Sequence, residues 1–479
     1  MVKHKKPSIF ERLRDGKLGR KQRQELARRV RSEDPGLEVV HRDVAGIDVG
    51  NGSHFVAAPP GRDPEPVREF GSWTADLERM AEWLKSCGIR QVVMQSTGVY
   101  WIGVHDVLEK HGFEVCLTNA RDTKNLPGRK SDVQEAQWLR KLHTYGLLRN
   151  SFRPPEAIRG LRSVWRLRER HVREAGREIQ HMQKALTTMN VQVANVISDI
   201  SGVSGQAIIR AILQGERNPH ELAKLKDYRV RASEEEIARS LEGNWDEEVL
   251  FELRQAVEQY DFLQQQIVQC DQRLQQHMSA LPGRAASGGE AGGGKAQGKS
   301  KKKGGKPRKN QPQFNQRAEL ERVCGVDLTT IDGVDVMTAQ TFFSELGWDM
   351  RHWRTEDHLV SYLKLAPNRQ ISGGKVIRHE PSKTHNRVTI ALRMAASTLA
   401  HSDSYLGARF RYLRARLGPA KAIKAMAAHI CRLIYRMLTR GQAWVDRGAQ
   451  EHERRRAERE HQALRRKAAA LGYRLEPAA

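Results

Sequence analysis

Val44-Ala45-Gly46-Ile47-Asp48-Val49-Gly50-Asn51-Gly52-Ser53-His54-Phe55-Val56-Ala57-Ala58 is the stretch whose reading decides the fold. Runs of β-branched and aromatic residues flank Gly50-Asn51-Gly52, so it predicts a strand, a turn and a second strand. Asp48 interrupts the first apolar run between Ile47 and Val49. Two readings stand side by side. Asp48 is a strand-end aspartate that faces water or pairs with an arginine, or it is a carboxylate held on rigid β-structure for metal-dependent phosphoryl transfer. A short motif with one acid does not choose between them.

Downstream, residues 41 to 150 alternate strand and helix signals. Val67–Ser72 predicts a third strand, and Thr74–Cys87 a helix with Leu77, Met80, Trp83 and Leu84 on one face. Gln91-Val92-Val93-Met94 is a short apolar strand. It runs into Gln95-Ser96-Thr97-Gly98-Val99-Tyr100-Trp101, followed by a helix to about Lys110. Glu114–Thr118 predicts another strand, and a loop with Pro127-Gly128 leads to a helix from about Ser131 to Gly146. This order implies a mixed sheet with helices packed on it, and such sheets place their chemistry at strand ends. Ser131 is a plausible N-cap, and Asp132 and Glu135 share one face of the first helical turn. Those acids either complement the helix dipole or converge on a shared cation.

The whole chain has 479 residues, with 82 Lys+Arg against 57 Asp+Glu and a formal net charge of +25. A surplus of that size calls for an acidic partner, and nucleic acid is the usual one. No apolar run approaches the roughly 20 residues of a spanning helix, so a membrane role is not expected. The polar, basic N-terminus lacks the apolar core of a secretory signal. Five widely spaced cysteines fit neither a disulfide framework nor a zinc site, and a cytoplasmic setting is expected.

Residues 1–40 form a basic arm, either a solvated tail or a phosphate-contacting element. Residues 151–282 read as largely helical. Leu161, Trp165, Val172, Ala175, Ile179, Met182, Leu186 and Met189 recur at helical spacing, as do Leu253, Val257, Tyr260, Ile267, Cys270 and Leu274. Two such helices imply an antiparallel pair or an oligomerising coiled coil. Ser233 and Glu236 form a capping-box pattern. Residues 283–315 are rich in Gly, Ala, Ser and Lys and read as a disordered basic linker. Residues 316–440 form a second compact unit. Within it, Leu328–Ala339 predicts helix, glycine turn and helix, a helix-hairpin-helix shape whose amides can hold a phosphate. Ile371-Ser372-Gly373-Gly374 sits among Arg369, Lys375 and Arg378, with Lys383 and Arg387 beyond. Ser372 is either a turn serine or a nucleophile on a cationic loop. A long helical stretch to about Thr439 follows, and residues 441–479 predict an exposed charged helix.

Three groups of residues carry a family resemblance: Gly46-Ile47-Asp48, Met94 to Trp101, and Lys130-Ser131-Asp132-Val133-Gln134-Glu135-Ala136. Leu365-Ala366-Pro367, Ile371-Ser372-Gly373 and Ser382-Lys383 extend it into the second unit. Together they resemble the DEDD-type insertion-sequence transposases of the insertion sequence one-ten family, which act as RNA-guided serine recombinases. The resemblance runs from about residue 44 to 435. It implies an α/β plus α fold: a RuvC-like domain of the RNase H type, a helical coiled-coil section, and a mostly helical C-terminal transposase domain. It also implies Mg²⁺ held by Asp48, Gln95, Asp132 and Glu135, and Ser372 as the nucleophile. Gln95 falls where the family has glutamate, and Glu135 where it has aspartate. Donor and target DNA, a noncoding guide RNA, and a homodimer or homotetramer are the implied partners, with serine and acids meeting between protomers. Arg369, Lys375, Arg378, Lys383 and Arg387 are then expected to contact nucleic acid. Two other classes remain alternatives: a hydrolytic RuvC-like nuclease indifferent to Ser372, and a catalytically weakened nucleic-acid-binding relative.

Overall fold

The computed structural model describes residues 22, 26, 37–96, 98–119, 131–284, 310–367, 369–372, 375–379 and 386–474. The chain divides into two compact units, Met1–Arg153 and Pro154–Ala479.

The first unit is built on five strands: β1 Val44–Val49, β2 Ser53–Ala57, β3 Val67–Gly71, β4 Gln91–Gln95 and β5 Glu114–Thr118. Their order is β3-β2-β1-β4-β5. The β1–β2 and β2–β3 pairs are antiparallel. The β1–β4 and β4–β5 pairs are parallel. The turn between β1 and β2 is closed by the Gly50 N–H donating to the Ser53 carbonyl at 3.1 Å. Three helices cover the sheet: α1 Thr74–Ser86, α2 Trp101–Lys110 and α3 Asp132–Thr144. Side chains alternate across a strand, which divides this core in two. Ala45, Ile47, Val49, Val92, Met94 and Leu117 face one way and pack with Met80 and Leu84 of α1 and Val104 and Leu108 of α2. Val44, Val93 and Cys116 face the other way and pack with Leu139 of α3. The predicted strands and helices all form, and β4 extends one residue further than its apolar run, to Gln95. Of the basic arm, Leu26 is buried against Leu142 and Leu147; most of the arm lies outside the described residues, as do Thr97 and the Pro127-Gly128 loop.

In the second unit, α4 Glu156–Thr188 and α9 Glu247–Ala280 run antiparallel. Gly160 on α4 meets His277 on α9. Further along, Arg168 pairs with Asp271, both buried, and Ala175 packs with Leu263 and Ile267. The numbering runs oppositely on the two helices, so the two periodic stretches form a pair within one chain. Between them, where irregular sequence was expected, lie four short helices: α5 Val193–Val196, α6 Val203–Leu213, α7 Pro219–Ala223 and α8 Glu234–Ser240. Their apolar faces share one core with the adjoining ends of α4 and α9. The Ser233–Glu236 capping box is formed in both directions. The basic linker lies outside the described residues from 285 to 309.

Beyond it come α10 Gln316–Cys324, α11 Val336–Leu346, α12 Glu356–Tyr362, the strands β6 Arg369–Ser372 and β7 Lys375–His379, α13 Arg387–Thr398, α14 Tyr405–Leu417, α15 Pro419–Arg440 and α16 Ala449–Ala470. The first arm of the expected helix-hairpin-helix is only a 3₁₀ turn at Leu328–Thr330. Its glycine is needed: Gly333 has φ +83, and a Cβ there would lie 2.5 Å from the Ala395 carbonyl oxygen on α13. The long helical stretch is three helices, because Gly418, at φ +78, stops α14 before Pro419 opens α15. Buried Glu345 on α11 accepts from Arg166 through both oxygens at 2.7 Å and forms an ion pair with Arg162 at 2.9 Å. These charge-assisted bonds tie α11 to α4, and a fork geometry makes the tie directional.

Candidate active site

The parallel strands β1, β4 and β5 end together, and the residues at their ends are polar. Ile47 pairs with Met94, so Asp48 and Gln95 are the next residues along both strands. Gln95 in turn pairs with Thr118. Alternation sets all three on the α3 side, two residues beyond Gly46, Val93 and Cys116 respectively. Gly46 explains how α3 comes so close. A Cβ at that position would lie 2.2 Å from the Ala136 carbonyl oxygen and 2.6 Å from the Arg140 nitrogen. Only glycine lets the helix backbone rest on β1. With Ala136 over Gly46, the first turn of α3 falls at the ends of the strands.

That turn is fixed by Ser131, whose Oγ accepts from the Gln134 N–H at 3.4 Å. Asp132 and Glu135 follow in the first turn, where the helix dipole favours acids. Glu135 is half-buried, Asp132 exposed and Asp48 half-buried. The decisive contact joins two elements 40 residues apart: Gln95 Nε2 donates to Glu135 Oε1 at 2.6 Å. Gln95 itself is buried. The structure thus brings β4 and α3 together through side chains, and β1 lies beside both.

The donor types suit a hard divalent cation, although Asp48, Asp132 and Glu135 do not bring one oxygen each within 4.8 Å of one another. Asp48, Asp132 and Glu135 offer carboxylate oxygens and Gln95 an amide oxygen, the donor type Mg²⁺ prefers. A further buried polar atom lies alongside: the hydroxyl of Thr118, fully buried and without a hydrogen-bond partner. Thr118 was not singled out by its sequence, although it carries the same mark as Gln95, a polar residue ending an apolar strand. Among the described residues the one group of three such side chains whose ligand atoms lie within 4.8 Å of one another is His105, Asp106 and Glu109 on α2, and the guanidinium of Arg153 occupies it. Arg153 contacts His105, Asp106 at 2.5 Å and Glu109 at 3.2 Å, and its guanidinium lies 5.4 Å from the Trp101 ring. Burial, and then Arg153, lower the His105 pKa, which suits a neutral ring beside a guanidinium.

Ser372 belongs to the second unit. It ends β6 and pairs with Lys375 across the hairpin, so the expected loop is a two-stranded ribbon. Arg369 opens β6, and Lys375 and Arg378 lie on β7. Lys383 lies outside the described residues. Arg387 begins α13, contacts Glu169 on α4 and lies 3.9 Å from Glu345. Its guanidinium is therefore engaged in joining helices.

A mixed five-stranded sheet with acids at its strand ends is consistent with an α/β domain of the RNase H type, followed by a helical C-terminal part. Two family models match this chain. Residues 45–191 match the DEDD model of IS110 transposases, described as a transposase, and residues 326–411 match the transposase IS116/IS110/IS902 family. No curated protein matches it. The chain belongs to the IS110 family of transposases, enzymes that act on DNA. Among the described residues no helix is long and apolar enough to cross a membrane.

Proposed function

We propose that this transposase cuts and rejoins the DNA of a mobile element through a covalent serine–DNA intermediate. The Gln95–Glu135 contact carries the reading of the acid site, because it joins two elements that sequence separates. Asp48, Asp132 and Glu135, with Gln95 beside them, would hold Mg²⁺, which stabilises charge on phosphate and leaving oxygen when bound. The Ser372 Oγ attacks the phosphorus and gives up its proton. One phosphodiester bond is exchanged for another, and a hydroxyl leaves on the departing strand. The exchange keeps an ester available for rejoining. Acids and serine lie in different units of the chain, and the proposed chemistry needs both. A chain of net charge +25 is suited to holding duplexes by their backbones, with sequence choice left to a noncoding guide RNA. Arg369, Lys375 and Arg378 are the cations nearest Ser372 in sequence, and they and Lys383 would grip the phosphates around it.

The test is trapping of a protein–DNA adduct on donor DNA with Mg²⁺ and the guide RNA. Ser372→Ala is expected to abolish the adduct and leave nucleic-acid binding intact; an undiminished adduct sinks the assignment. One observation favours a second reading, a binding protein with weakened catalysis: Gln95 satisfies Glu135 with no cation.

A further inference from the structure

Thr118 is fully buried at the end of β5, and its hydroxyl has no partner. Leaving such a group unsatisfied is costly, so a buried orphan needs an explanation. Its neighbour in register is Gln95. The two side chains leave adjacent strands, roughly 4.8 Å apart, on the same face of the sheet. Gln95 has committed its amide N–H to Glu135. That arrangement would change if a cation occupied the acid set. A cation held by both Glu135 oxygens would leave the Gln95 N–H in need of another acceptor and its oxygen available as a ligand. On the β5 side, the acceptor that Gln95 meets in register is the unpartnered Thr118 hydroxyl.

We propose that Thr118 is a positioning residue that accepts the Gln95 amide N–H when a divalent cation engages Glu135, and so turns the Gln95 oxygen toward the cation. The proposal rests on the metal reading of the acid set. It gives a reason for a glutamine where the family has glutamate: the amide needs a partner to hold its orientation, which a carboxylate does not.

The experiment is Mn²⁺ binding to the full chain by calorimetry, without nucleic acid, with folding followed by circular dichroism and melting. Thr118→Val keeps the shape and removes the acceptor; it should weaken Mn²⁺ binding about three- to tenfold, the range of one hydrogen bond. Thr118→Ser should bind within about twofold of the unaltered chain. In a Gln95→Glu background Thr118→Val should have no effect, since no amide remains to be held. An unchanged affinity for a folded Thr118→Val, with a raised melting temperature, overturns the proposal and marks the hydroxyl as merely buried. If Thr118→Val does not fold, Thr118→Ala and Thr118→Ser decide: equal affinities for the two overturn it. Asp48→Asn separates the two layers of the argument. Mn²⁺ affinity indifferent to Asp48 removes the metal reading and this proposal with it. Affinity dependent on Asp48 but not on Thr118 removes this proposal alone.

Discussion

The acid set and the serine hairpin are built in opposite ways. Asp48 and Gln95 end the central strands of a sheet covered on both faces, and Glu135 is locked to Gln95 through a helix that rests on Gly46. Ser372 ends a four-residue strand in a two-stranded ribbon. An isolated ribbon has little intrinsic stability. The contrast fits the proposed chemistry. A metal site needs donors fixed by a rigid scaffold, whereas a nucleophile that must engage a phosphate supplied by a partner duplex can ride on a less constrained element.

The largest expected effect tests the rigid half. Asp48→Asn keeps the shape and removes one charge. With Mg²⁺, cleavage of end-labelled donor DNA should fall on the order of 100-fold or more, as for loss of an oriented metal ligand. Asp132→Asn, at an exposed position, should cost less, because water can replace its oxygen. Equal losses for the two would mean that burial does not rank the ligands and would weaken the contrast.

The glycines that dock helices come next. Gly46→Ala drives a Cβ into the backbone of α3, and Gly333→Ala does the same to α13 with a φ of +83 in addition. Each should lower stability by about 3 kcal/mol, read as a shift in the denaturation midpoint. Gly46→Ala should also abolish Mn²⁺ binding, since it displaces Asp132 and Glu135 from the strand ends. Gly333→Ala should leave Mn²⁺ binding unchanged. Metal binding lost in both would show that the two units do not stand independently.

These sites were legible to different degrees. The places of Asp48, Gln95 and the Asp132–Glu135 pair in the fold were readable because strand ends and first helical turns leave local marks: an acid in an apolar run, a polar residue closing one, an N-cap serine; their shared role was proposed only through the family resemblance. Thr118 carries the same mark as Gln95, but the register that sets the two side by side is a long-range pairing, so Thr118 was not singled out. The capping domain of α5–α8 was missed because short helices on a shared core show little periodicity of their own. Ser372 was favoured as a nucleophile only through family resemblance. A serine before two glycines suits an ordinary turn equally well, and local physics does not distinguish them. The helix-hairpin-helix was read too generously, since a 3₁₀ turn and a helix both place apolar residues three apart.

Smaller effects are expected from acid. His143, stacked 4.7 Å from His41, has a pKa pushed down to about 4 by burial, with His41 adding to it. His429 in the second unit falls to about 3, through burial and then Arg409, Arg432 and Arg436. In both, the fold holds the neutral ring. Their cost is absent above the unfolded value near 6.5, and it grows as pH falls toward the folded value. Between pH 7 and pH 5 each should remove about 1–2 kcal/mol of stability. His143→Gln should flatten that decline for the sheet unit alone, measured by urea denaturation at several pH values. An unchanged slope would place the acid sensitivity elsewhere.

The smallest effect bears most directly on the acid set. With glutamine at 95, Glu135 receives an N–H and is satisfied without metal. With glutamate, two carboxylates would face each other across the same gap, and like charges that close disfavour joint ionisation. Gln95→Glu should therefore lower metal-free stability by about 1 kcal/mol and raise Mg²⁺ affinity about tenfold, so that added metal shifts the melting temperature further than in the unaltered chain. The sign of that difference separates two roles for Gln95. A larger metal-induced shift means that the glutamine trades affinity for a stable metal-free site. Equal shifts in both proteins mean that residue 95 does not reach the cation, and its bond to Glu135 then serves only to hold α3 on the sheet.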